Sequence, residues 1–133
     1  MTPLFRKVDC LRLPVPDLDA ALAFYRDALG HELIWRSDTT IGLRLPESEA
    51  EIVLTTEAAP PETDLLVEDA TAAVARIVAA GGRVIAPTFE IAVGLCAVVA
   101  DPFGNTLVVL DMTKGPLVTD DEGNVLPRSE QAG

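Results

Sequence analysis

Histidine is nearly absent from this 133-residue chain, with one copy at His31, and cysteine occurs twice, at Cys10 and Cys96. A single histidine excludes the paired-histidine ligand sets of many transition-metal sites, and two cysteines are too few for a disulfide framework and lie at no zinc-finger spacing. Basic residues are scarce as well, 10 against 21 acids for a net charge of -11. Such a chain repels phosphate backbones and anionic membranes, so neither nucleic acid nor a membrane is an expected partner. No apolar run approaches the roughly 20 residues of a membrane span, and the opening MTPLFRKVDC carries no apolar segment of signal-peptide type. The expectation is a cytoplasmic protein with reduced thiols. Its length suits one domain, able to bury roughly two thirds of its unfolded surface.

What the chain does have is a second copy of itself. Shifting Val15–Ile34 forward by 52 positions lays it on Val67–Ala86, with Val15/Val67, Asp17/Asp69, Ala28/Ala80 and Gly30/Gly82 in register. The same shift carries Ile41-Gly42-Leu43 onto Val93-Gly94-Leu95, and after a longer turn Val53-Leu54 meets Val108-Val109 at a shift of 55. Two copies are too few for a solenoid; a duplicated supersecondary unit is the natural reading.

Each copy reads as strand, helix, then three strands. The first opens with a strand over Val8–Val15, and Asp17 is placed to cap a helix whose Leu18, Ala21, Leu22, Tyr25 and Leu29 fall at helical spacing. Gly30 stops it, and strands are expected over Glu32–Arg36, Thr40–Leu45 and Glu51–Thr56. In the second, Thr63–Val67 is the opening strand, Asp69 caps the helix, and Arg83–Ala86, Leu95–Ala100 and Thr106–Asp111 complete the sheet. Pro87–Val93 reads as a loop of lid-like length, and Asp101-Pro102-Phe103-Gly104-Asn105 as a tight turn. Beyond Met112 the chain becomes polar, with a hairpin expected around Asp120–Gly123 and a frayed end from Pro127.

VPDLDAALAFYRDALG, then GLRL, then ADPFGNTLVVLD resembles the vicinal oxygen chelate superfamily, which includes glyoxalase I, extradiol dioxygenases and bleomycin-resistance proteins. The likeness covers about residues 7–112. It implies an α+β fold in which two βαβββ modules, about 7–58 and 62–112 with a polar tail over 113–133, form a pseudo-twofold repeat whose curved mixed sheet surrounds a cavity. It also implies modules paired within a chain or across a homodimer, and in metal-using members one ligand on the first and one on the last strand of each module; the exposed sheet edges make a homodimer the expectation here. Those positions fall here on Cys10, Val53, Glu62 and Val108. Two valines supply no donor, so no metal and no cofactor is expected.

Strand alternation gives the chemistry that remains. If Leu11, Leu13 and Val15 face the helix, Cys10 and Arg12 face away, and the same rule turns Arg44, Glu51, Val53, Glu62 and Asp64 to that side. Phe89 joins them as an aromatic wall in the lid-like loop. These residues, with Val108, form the candidate ligand site. Arginines there suit an anionic group on the ligand; the alternative is an internal ion pair of Arg12 with Glu62 or Asp64. The expected function is metal-independent binding of a small, partly anionic organic molecule. The alternative is an enzyme in the same place, either a metal-dependent lyase, dioxygenase or epimerase, or a metal-free acid/base catalyst using Glu62 or Asp64.

Overall fold

The order strand, helix, three strands occurs twice in the computed structural model, which describes residues 2–127. By its internal contacts the chain divides into two compact units. One is Asp9–Glu62 with the chain from Leu117, and the other is Thr63–Pro116 with the residues up to Val8.

In the first, β1 (Lys7–Pro14), α1 (Leu18–Leu22), β2 (Leu33–Arg36), β3 (Thr40–Arg44) and β4 (Glu51–Thr55) follow in sequence. The strand order is β2-β3-β4-β1, with β1 parallel to β4 and β3 antiparallel to both neighbours. Asp17 is extended and its carboxylate accepts the Ala20 N–H at 2.9 Å, the expected cap. The helix is α only to Leu22; Ala23–Ala28 continues as a π-helical turn, with the Leu29 N–H reaching Phe24 O. Tyr25 still packs on the core while Phe24 and Leu29 stay exposed. Leu18, Ala21, Leu22, Ile41, Leu43 and Leu54 form that core, with Leu13, Val15 and Ile52 against it. Leu11, expected among them, lies outside the cluster and is 40% exposed.

Pro14 does not end the first strand: the register with β4 runs on to Pro14↔Thr55 and the next bond joins Val15 N–H to Thr55 O at 2.8 Å. Alternate residues of a strand turn their N–H to opposite neighbours, so a proline is tolerated where its nitrogen faces away from β4. The tail adds to this unit. Thr119 bridges Val125 around an Asp120–Asn124 turn, and the turn docks on the edge of β2, with Arg36 N–H donating to Gly123 O and Val125 N–H to Arg36 O, both at 2.8 Å. The frayed end expected from Pro127 concerns residues 128–133, which lie outside the described residues.

In the second unit, β5 (Glu62–Leu66), α2 (Ala70–Ala79), β6 (Arg83–Ile91), β7 (Gly94–Ala100) and β8 (Thr106–Leu110) are ordered β5-β8-β7-β6. Asp69 caps α2 through the Ala72 N–H at 2.9 Å. Val67, Ala70, Ala73, Ala97 and Val109 pack between helix and sheet, and Cys96, Val108 and Leu110 cluster on the opposite face. One expectation fails here. Pro87–Val93 is no lid: β6 runs through Pro87 to Ile91, pairing Phe89 with Cys96, with register irregularities between Val84 and Ala86 and between Ala86 and Phe89. An edge strand needs no second ladder, so a proline beside an irregularity does not end it.

Candidate functional site

The β-ladder registers fix which side chains of module one share the face turned away from α1. Cys10 pairs with Glu51 and Arg12 with Val53 across β1 and β4; Gly42 pairs with Val53 and Arg44 with Glu51 across β3 and β4. Laterally paired residues share a face, and their neighbours Ile41, Leu43 and Leu54 fill the helix-side core. The sequence-predicted set Cys10, Arg12, Arg44, Glu51 and Val53 is therefore brought together. Cys10 and Val53 are buried, Arg12 and Glu51 half-buried, and Arg44 exposed.

Trp35 belongs to the same face through its pairing with Gly42. Its indole lies where a Gly42 side chain would be, and its Nε1–H donates to Glu51 Oε1 at 2.7 Å. Burial pushes the Glu51 carboxyl above the usual glutamate range. The Trp35 hydrogen bond opposes that rise, Asp9 adds to it and Arg44 counters it. Alternation alone does not reveal this contact. A signal was available in Gly42 itself, because a glycine inside a strand often marks a close approach.

Arg12 Nη2 meets Glu57 Oε2 at 2.9 Å and Arg44 Nε meets Glu32 Oε2 at 2.9 Å, two ion pairs that strand alternation does not suggest. Glu57 follows β4 directly, where the chain beyond Thr55 comes back within reach of the guanidinium. His31 lies between Gly30 and β2, with Nδ1 3.2 Å from Arg44 O.

On module two, Asp64 pairs with Val108 and both are buried on the face opposite α2. Phe89 is on that face through its pairing with Cys96 and is 44% exposed. Glu62, two residues before Asp64, is half-buried at the first position of β5. The sequence reading also missed a buried carboxylate just past β8. Asp111 Oδ2 accepts the Ala70 N–H at 2.7 Å, and Oδ1 accepts the Leu95 N–H at 2.9 Å and the Thr113 hydroxyl at 2.7 Å. Burial alone would raise its pKa, but these bonds together hold it below the usual aspartate range. Gly94 leaves the room it occupies. Asp111 thus ties the start of α2 to β7, a structural task.

A transition metal needs three or four converging donors. Among the described residues no three His, Cys, Asp or Glu side chains are grouped to hold one. Val53 and Val108 line their respective faces without a donor atom, so the side chains present do not fit the metal that the resemblance associates with these positions.

The model of the Glyoxalase/Bleomycin resistance protein/Dioxygenase superfamily matches residues 7–109. Among solved structures, methylmalonyl-CoA epimerase from Mycobacterium tuberculosis is similar at 20% identity and a TM-score of 0.69, covering 84% of this chain and 91% of that one. A homoprotocatechuate 2,3-dioxygenase variant from Brevibacterium fuscum gives 23% and 0.59, over 83% of this chain and 33% of its own. The Mn(II)-bound glyoxalase from Novosphingobium aromaticivorans gives 20% and 0.55, over 81% and 39%. No curated protein sequence matches. At these identities the structures speak for the fold, and the family match spans most of the chain: it belongs to the Glyoxalase/Bleomycin resistance protein/Dioxygenase superfamily.

Proposed function

We propose that this protein binds a small, partly anionic organic molecule on the helix-free face of module one, without a metal of the family type. The observation that carries the reading is the register Arg12↔Val53 and Cys10↔Glu51. It sets a guanidinium and a carboxylate beside an apolar residue where a metal-using relative would need a donor. Arg12 is the anchor for the anionic group, since its planar fork engages a carboxylate through two hydrogen bonds. Asp64, Phe89 and Val108, on the helix-free face of module two, are proposed as further ligand-contacting residues, and Glu62 with them. A homodimer is proposed as well, and sedimentation showing only monomer at micromolar concentration would count against it.

A second reading, an enzyme at the same place, is favoured by the half-buried Glu51 carboxyl, whose raised pKa suits proton transfer. The similarity to a methylmalonyl-CoA epimerase supports keeping this reading. Elemental analysis separates both from a metalloenzyme. After dialysis the purified protein should hold well under one transition metal per chain, and near one, lost on Glu62→Ala, would overturn the reading.

A further inference from the structure

Module one holds its only tryptophan in an unusual arrangement. Trp35 donates to Glu51 Oε1 and so fixes the carboxylate on this face. Gly42 supplies the space that makes the indole's position possible. A half-buried carboxylate has given up part of its water, and a donor brought to Oε2 by a ligand helps to replace it. Arg12 is in a related state. Its side chain is 28% exposed and its partner Glu57 is 63% exposed, and such solvent-facing pairs hold together weakly. The face therefore has a fixed acceptor and a cation whose present partner is easily displaced.

The ladder makes them diagonal neighbours. Arg12 pairs with Val53, two residues along β4 from Glu51, so the two side chains leave the same face from adjacent strands. Val53 and Cys10 form the floor between them, one apolar and one a small thiol, both buried.

Resting on the reading of this face as a ligand site, we propose that Glu51 and Arg12 together select a small rigid molecule with an anionic group at one end and a hydroxyl or amino donor at the other. The anion takes the Arg12 guanidinium and displaces Glu57, the apolar body lies over Val53 and Cys10, and the donor bonds Glu51 Oε2. Trp35 is a positioning residue that holds the acceptor in place.

The probes are 4-hydroxybenzoate, whose carboxylate and hydroxyl stand at opposite ends of a flat apolar ring, and 4-methoxybenzoate, which keeps the anion and loses the donor. Calorimetry gives the affinities, and the single indole N–H resonance reports directly on the Trp35–Glu51 bond. Wild type should bind the hydroxy acid at least tenfold more tightly than the methoxy acid and shift the indole signal. Glu51→Ala should erase that preference while both acids still bind, Trp35→Phe should narrow it, Arg12→Ala should weaken both acids alike, and Glu57→Gln should tighten both. Each variant is first checked for a wild-type circular dichroism spectrum. Equal binding of the two acids by wild type, or a preference that survives in Glu51→Ala, overturns the donor assignment and leaves the binding function standing. If neither acid binds at millimolar concentration or moves the indole signal, the function and this inference fall together.

Discussion

Gly42 is where a single methyl group should do the most damage to the face. A Cβ added there falls within the indole of Trp35, so Gly42→Ala forces the ring off its seat and breaks the bond from Nε1 to Glu51. A hydrogen bond to a charged group contributes about 1.5–3 kcal/mol. Overpacking a filled site adds about 1–3 kcal/mol, while replacing glycine by alanine returns about 0.4–1 kcal/mol by restricting the unfolded chain. The net expectation is a loss of about 2–5 kcal/mol, a large share of the 5–15 kcal/mol that holds a typical domain together. Urea denaturation followed by circular dichroism measures it, with an unchanged slope showing that the unfolded state is the same. Trp35→Phe already lacks the bond that Gly42→Ala breaks, so the double variant should be more stable than the sum of the two losses allows, by at least about 1 kcal/mol. Gly42→Ala as stable as wild type, with the indole resonance unmoved, would refute the contact itself.

Asp111→Asn should destabilise the fold by about 3 kcal/mol at pH 7, because an amide N–H₂ is set against a backbone donor that the carboxylate had satisfied. Since the folded pKa of Asp111 is depressed, its stabilisation is complete above the ordinary aspartate value and is lost as pH falls through the folded one; unfolding curves at pH 7 and pH 3 should show the gap to Asp111→Asn closing. Glu51 runs the other way: its folded pKa is raised, so ionising it weakens the fold as pH climbs from the ordinary glutamate value. Glu51→Gln, which keeps an acceptor for Trp35, should gain up to about 1 kcal/mol at pH 7 after allowing for solvent screening and nothing at pH 4, read from the same denaturation series. Arg12→Ala should cost no more than about 1 kcal/mol of stability, since the Glu57 pair faces solvent; a several-kcal/mol loss in thermal or urea unfolding would make Arg12 a structural residue instead.

The helix caps and the two faces of each sheet were legible because they depend on short-range rules. Asp17 and Asp69 act within three residues of themselves, and alternation assigns Cys10, Arg12, Glu51 and Val53 to one side without any knowledge of strand order. The contacts that complete the site were not legible, since each depends on what lies laterally. Trp35 reaches Glu51 across β3, past a register irregularity between Leu33 and Trp35. Asp111 bonds an amide 41 positions away. Arg12 finds Glu57 just past the end of a strand, where no periodicity applies. Pro87 misled for a different reason: proline interrupts a strand only where its N–H would be used, and β6 is an edge.

The two Asp-x-x-Gly-Asn turns bear on how the chain reaches this structure. In Asp101–Asn105 the aspartate accepts the Phe103 and Asn105 N–H groups at 2.8 and 2.9 Å and the Asn105 amide at 2.7 Å. Asp120 treats Glu122 and Asn124 in the same way. Gly104 and Gly123 supply the positive φ, 92° and 87°, that lets each turn close. Every one of these bonds lies inside five residues, so the turns can form before any distant part of the chain arrives, on the roughly 1–10 μs scale of hairpins. The β1–β4 ladder, by contrast, joins residues such as Cys10 and Glu51 across the whole of module one and must first bring its ends together. Folding should thus begin at the β7–β8 corner, where the turn sets the alternation of Cys96 and Val108, and the face that carries Arg12 and Glu51 should be among the last surfaces to exist.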